Sequence, residues 1–186
     1  MYPVKYNIDF HSYWHIGSGL SEGSSSDLLV LKDDDQLPFI PGKTIKGLLR
    51  HAAEEIHQLN NDVLTNHADF IIDVFGKEGT NESKGHFSNA CLPIPSKEYF
   101  KQNSTNILYH QISSTKINSE KGIAEQKSLR QMEVTVPLRL EGEILLSEAN
   151  DDVIKNIEIC LSWIKQLGMK RTRGFGQCTI KKQPNK

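Results

Sequence analysis

Two stretches of this sequence set cations beside residues that let a ligand approach the backbone, and neither contains an acid. From Gly168 to Lys186 stand Lys170, Arg171, Arg173, Lys181, Lys182 and Lys186; from Lys43 to Arg50 stand Lys43, Lys46 and Arg50. The segment Gly168-Met169-Lys170-Arg171-Thr172-Arg173-Gly174-Phe175-Gly176 mixes three cations with three glycines. Glycine removes the steric screen over backbone amides, and guanidinium groups grip phosphate in a fork, so the chemistry on offer is recognition of a polyanion. Pro41-Gly42-Lys43-Thr44 is not a nucleotide-hydrolysing loop, because that motif needs a glycine where Leu37 stands. It predicts instead a helix N-terminus whose free amides, flanked by Lys43 and Lys46, attract an anion.

The chain as a whole carries no field that would gather nucleic acid. Twenty-two Lys and Arg against 23 Asp and Glu leave a formal charge of −1, so binding must come from the local clusters. The compensating acids lie elsewhere, in Asp33-Asp34-Asp35, Glu54-Glu55 and Glu141 to Asp152. With 186 residues, 37% of them hydrophobic, the expectation is one domain over residues 1–186. No apolar run reaches membrane-spanning length, and Met1-Tyr2-Pro3-Val4-Lys5 lacks the features of a secretory leader. Cys91, Cys160 and Cys178 are widely spaced and form no C-x-x-C pair, which predicts reduced thiols and a cytoplasmic location.

The elements that must position these clusters are legible from periodicity. Val4, Tyr6, Ile8 and Phe10 share one parity and predict a first strand. Residues 17–26 hold three glycines and five serines and predict a loop. Ile45, Leu48, Leu49, Ala52, Ala53, Ile56 and Leu59 predict a helix that begins just after Gly42. A short helix is one option for 70–75, a second strand is expected at 86–92, ended by Pro93 and Pro95, and 107–117 reads as extended. Lys121-Gly122 marks a turn, so 118–131 predicts a protruding hairpin. Val134, Val136, Leu138, Leu140 and Ile144 keep one parity and predict a single strand. Asn150 or Asp151 caps a second helix that Gly168 ends, and a last strand spans 175–181. Strand, helix, strand, strand, helix, strand predicts an α+β, ferredoxin-like (RRM-like) βαββαβ domain with inserted loops and a protruding thumb hairpin. The aromatic string with which RRM domains stack bases is absent.

Leu37-Pro38-Phe39-Ile40-Pro41-Gly42-Lys43-Thr44-Ile45-Lys46-Gly47-Leu48-Leu49-Arg50 resembles the P-x-I-P-G-S-S-L-K-G-x-x-R signature of the RAMP superfamily of CRISPR-associated proteins. Lys170 to Gly176 resembles that family's K-R-S/T-R-G-F-G loop, and His15-Ile16-Gly17-Ser18-Gly19 its H-I-G-G-G element. The family's F-x-D-A reads Phe87-Ser88-Asn89-Ala90, and Lys43 replaces the first Ser of the signature. The spacing is similar to that of the backbone (Csm/Cmr-type) subunit of Type III effector complexes.

The resemblance implies a subunit that binds guide (CRISPR) RNA and acts as an endoribonuclease in the assembled complex, cutting target single-stranded RNA at regular intervals. Implied partners are both RNAs, further copies of the chain and other Type III subunits, with no membrane. Asp27, 11 positions before Pro38, matches the family's catalytic aspartate. RNA contacts fall to His15, Lys43, Thr44, Lys46, Arg50, Asn118, Lys170, Arg171, Arg173 and Gly174. A divalent ion, Mg or Mn, is the implied cofactor, with ligands beyond Asp27 unassigned. Two alternatives stay open: a RAMP scaffold or cap subunit that binds guide RNA without cutting, and a guide-processing nuclease using His11 or His15 as general base.

Overall fold

The structure is a computed structural model that describes residues 1–18, 28–60, 62–77, 83–115, 117, 122–123 and 128–184. Strand β1 spans Tyr2–Phe10 and alternates as expected, with Val4, Tyr6, Ile8 and Phe10 buried. Helix α1, Gly42–Leu59, turns Ile45, Leu49, Ala52, Ala53 and Ile56 onto that face. Helix α2 (His67–Phe75) and strand β2 (Gly85–Phe87) follow. Helix α3 (Ile94–Gln102) leads into β3 (Tyr109–Ser114), β4 (Arg130–Thr135) and β5 (Arg139–Leu146). Helix α4 (Asp151–Trp163) and β6 (Cys178–Lys182) complete the chain.

Strands β2-β5-β1-β6 form one antiparallel sheet in that order, which is the ferredoxin-like arrangement, with α1 and α4 over one face. Their apolar stripes close a single core with Val4, Tyr6, Ile8 and Phe10 of β1 and with Leu140, Ile144 and Leu146 of β5. Asn150 caps α4, its side-chain oxygen accepting the Val153 amide at 2.8 Å. The three cysteines are free, with Cys160 and Cys178 buried. No helix among the described residues is long and apolar enough to cross a membrane.

Three expectations are corrected. The single strand expected over 134–144 is two, in different sheets: β4 pairs with β3, whereas β5 joins the main sheet. Pro137, which has no amide to give a ladder, lies at the crossing. Pro93 and Pro95 do not merely end a strand; α3 starts there, since a first helical turn has no partners for its amides and tolerates proline. Helix α4 stops at Trp163 rather than at Gly168, because 165–167 leave it to run antiparallel to 176–178. Leu167 N–H donates to Gly176 O and Cys178 N–H to Lys165 O, both at 2.9 Å. The expected hairpin is the β3–β4 connection, although 118–121 and 124–127 lie outside the described residues.

Candidate nucleic-acid interface

The stretch from Tyr13 to Ser18 ties together three parts of the chain that the sequence marks as functional. On one side it holds the glycine-rich loop. Gly176 N–H donates to Tyr13 O at 2.8 Å and Met169 N–H to His15 O at 3.0 Å. On another it holds β4, the stem of the hairpin, with Trp14 and Thr135 exchanging backbone bonds at 3.1 and 2.8 Å. On a third it holds the neck of the serine-rich loop, where Leu31 N–H donates to Ile16 O at 2.8 Å and Ser18 N–H to Leu29 O at 3.1 Å.

His15 sits at the junction, with none of its surface exposed. Its Nδ1–H donates to the Glu133 carbonyl at 2.7 Å. Burial holds the ring below the ordinary histidine range; the Glu133 carbonyl bond and carboxylate pull the other way, and the Lys170 charge adds to the lowering. A neutral ring with its proton on Nδ1 is thus the resting form. The expected RNA contact through His15 has no exposed surface to work with; its ring instead bonds β4, while its backbone carbonyl holds the glycine-rich loop at Met169.

Asp27 and Asn118 both lie outside the described residues. Leu28, the next residue after Asp27, is fixed: it bridges Met132 in β4, and its carbonyl accepts Glu133 N–H at 3.0 Å. Sequence reasoning missed the pair that secures this neck. Glu133 is 7% exposed, and its carboxylate accepts Val30 N–H at 3.1 Å and the Lys32 ammonium at 2.8 Å. The Lys32 ammonium also lies 3.9 Å from the Tyr109 ring centroid.

The glycine-rich loop is built differently from what its composition suggests. Gly168 and Gly176 answer to packing: a Cβ on the first would lie 2.4 Å from His15 O and on the second 1.8 Å from Leu167 O. Gly174 alone faces open space, with a left-handed φ of 82° that ends one 3-10 turn at Arg171–Arg173. The loop therefore presents its cations from a short, pinned turn. Arg171 and Arg173 are exposed and Lys170 is half-exposed, and among the described residues none of the three has a carboxylate partner.

The N-terminus of α1 corrects the anion-site expectation. The Gly42 amide donates to Asn89 Oδ1 at 2.9 Å, and the Thr44 and Ile45 amides donate to Pro41 O at 2.9 and 3.2 Å. Most of the free donors are spent, so any anion must be met by side chains. Gly42 itself is dictated by contact, since a Cβ there would lie 1.9 Å from Phe87 O. By the 3.6-residue repeat Lys43, Gly47, Arg50 and His51 point outward, with half-exposed Arg50 tied to Glu54 at 3.1 Å. Lys46 leans to one flank, 6.0 Å from the Phe87 ring centroid. Half-exposed Thr44 lies on the opposite flank with Leu48. On that flank Leu48, Ala52 and Glu55 share a cleft with Arg171, so α1 and the cationic loop adjoin.

The outer face of the main sheet, where an RRM would stack bases, is unsuited to that use. Asp9 faces Arg139, Lys5 faces Glu143 and Asn7 faces Glu141, and the Phe and Tyr residues of β1, β2, β5 and β6, namely Tyr2, Tyr6, Phe10 and Phe87, all have the parity of the opposite face. Asp9 and Arg139 are paired at 2.6 Å. Among the described residues, no three His, Cys, Asp or Glu side chains are grouped to hold a metal ion.

An antiparallel α+β domain that pins a cationic, glycine-rich turn beside its first helix defines the class. The chain belongs to the RAMP superfamily, whose family model matches residues 7–179. No curated protein matches the chain in sequence. In fold it is similar to a chain of the Type III-B Cmr-beta assembly bound to cognate target RNA, with a TM-score of 0.73 and 15% identity over 98% of this chain and 97% of that one. A chain of the apo Cmr-beta assembly is similar at a TM-score of 0.71 and 16% identity, over 99% and 98%.

Proposed function

We propose that this chain is a guide-RNA-binding backbone subunit of a Type III CRISPR effector complex, which cuts the paired target RNA at regular intervals. The observation that carries the proposal is the fastening of three loops to one stretch, Tyr13 to Ser18: the cationic turn, the hairpin stem and the neck beside Asp27. Lys43, Lys46, Arg50, Lys170, Arg171 and Arg173 would hold the guide by its phosphates, with Thr44 and Gly174 allowing close approach. Such contacts ignore sequence and leave base edges free to pair, as an interchangeable guide requires. Guide, target, further copies of the chain and other subunits would then assemble in the cytoplasm.

The hairpin beyond β3 and β4, including Asn118, would part the duplex at one step and free a ribose to turn its 2′-hydroxyl in line with the adjacent phosphorus. Attack there forms a 2′,3′-cyclic phosphate and expels a 5′-hydroxyl. Asp27 would assist removal of the 2′-proton. A divalent cation, Mg or Mn, supplies neutralisation of the developing phosphorane charge when bound; one carboxylate with phosphate oxygens is a donor set that Mg ions accept. In the reconstituted complex, Asp27→Ala should keep guide binding and assembly while target cutting falls at least about a hundredfold. Cutting at the wild-type rate by that variant would sink the assignment, and a wild-type complex that binds guide yet leaves target intact would mark a scaffold subunit.

A further inference from the structure

We propose that the cleft between α1 and the exit of α4 is a pocket for one unpaired nucleobase of the bound RNA, stacked on Trp163, with its adjoining phosphate on Arg171. The inference rests on the RNA-binding reading above and adds a specific subsite to it. The cleft holds about 220 Å3, below the roughly 300–1,000 Å3 of sites for drug-sized ligands, and suits a single flat ring system. Leu48 and Ala52 give it an apolar wall on α1. Trp163 is 41% exposed and, among the described residues, stacks on no other ring.

That indole is held in place, since its Nε1–H donates to Glu55 Oε2 at 3.2 Å. The second oxygen of Glu55 accepts nothing among the described residues and is available to an exocyclic amine or ring N–H of a base. At the rim, Gln166 donates to the Arg171 carbonyl at 3.3 Å and fixes that stretch of backbone, while the guanidinium has no acidic partner. An exposed aromatic face beside an unpaired cation is the combination by which proteins hold single-stranded nucleic acid. A base already paired offers its faces to its neighbours in the stack, so the occupant is an unpaired nucleotide.

The chain's two tryptophans make the test direct, because Trp14 is fully buried and stacked on Phe10 at 4.4 Å. Titrating the intact chain with a short adenosine oligoribonucleotide should quench Trp163 emission. An oligomer of equal length with base-free spacers should bind through its phosphates without quenching. Trp163→Ala should weaken binding of the adenosine oligomer by about five- to a hundredfold, and Trp163→Phe should restore most of it. Unchanged affinity in Trp163→Ala, with emission unmoved in the wild type while Arg171→Ala still weakens binding, would overturn the pocket and leave RNA binding standing. Loss of self-association rather than of RNA affinity in Trp163→Ala would make the cleft a protein contact and overturn it equally. A wild-type chain and complex that bind no RNA would bring down the RNA reading itself.

Discussion

Replacing Glu133 by alanine removes two bonds that hold the neck of the serine-rich loop. Val30 is 3% exposed, so its orphaned amide costs about 1–3 kcal/mol. The Lys32 side chain is 23% exposed and can swing its ammonium toward water, so its lost partner adds only about 1 kcal/mol. The sum is about 3 kcal/mol, which for a chain of this length corresponds to a fall of roughly 6–12 °C in melting temperature. Glu133→Gln keeps an acceptor for Val30 and loses the charge, so it should melt between wild type and the alanine variant. Thermal unfolding followed by circular dichroism measures both. A melting point for Glu133→Ala within about 2 °C of wild type would show that the carboxylate does not secure the neck. Because the partners of the carboxylate, Val30 and Lys32, lie outside the cationic turn, affinity for RNA should be unaffected.

Lys43→Ala and Arg171→Ala should each weaken RNA binding equally across sequences and reduce the slope of log affinity against log salt by about 0.7, read from titrations at several ionic strengths; a loss confined to one sequence would contradict phosphate contact. Acid should destabilise the fold in a defined window. Burial lowers His15 and His67, and the neighbouring His57, stacked on His67 at 3.7 Å, lowers the latter further. The folded chain therefore binds fewer protons than the unfolded one, whose histidines titrate near 6.5. Stability from these groups is complete above that value and declines as pH falls from it toward the folded-state values. Melting temperatures at pH 7.5 and 5.5 should differ in that direction, and a His67→Phe variant should narrow the gap.

Strands and helices with one buried face were readable because periodicity reports burial: β1, α1 and α4 follow from Val4–Phe10, Ile45–Ile56 and Val153–Leu161, and Asn150 from its capping chemistry. Helix α3 was not, since it buries no residue and so carries no apolar period. The sheet switch at Pro137 was hidden because Val134 and Leu140 keep one parity across it, and only the proline marked the break. The same holds for the site. The two cation clusters were legible by composition, but nothing local reveals that Asn89 occupies the Gly42 amide or that two of the three loop glycines serve packing. Glu133 and Lys32 are separated by 101 positions, and Trp163 gains its meaning only beside Glu55.

The fastening at Tyr13–Ser18 also bears on how such a chain can diversify. Insertions into the serine-rich loop, the hairpin tip or the turn at Arg171 change what each arm reaches while leaving their roots in register. The root itself has no such freedom. Trp14 packs into the core against Phe10 and His15 enters the junction, so losing one residue between them and Ser18 would shift every bond made to β4 and the glycine-rich turn together. Variation in length belongs to the arms, and constancy of length to the six residues that carry them.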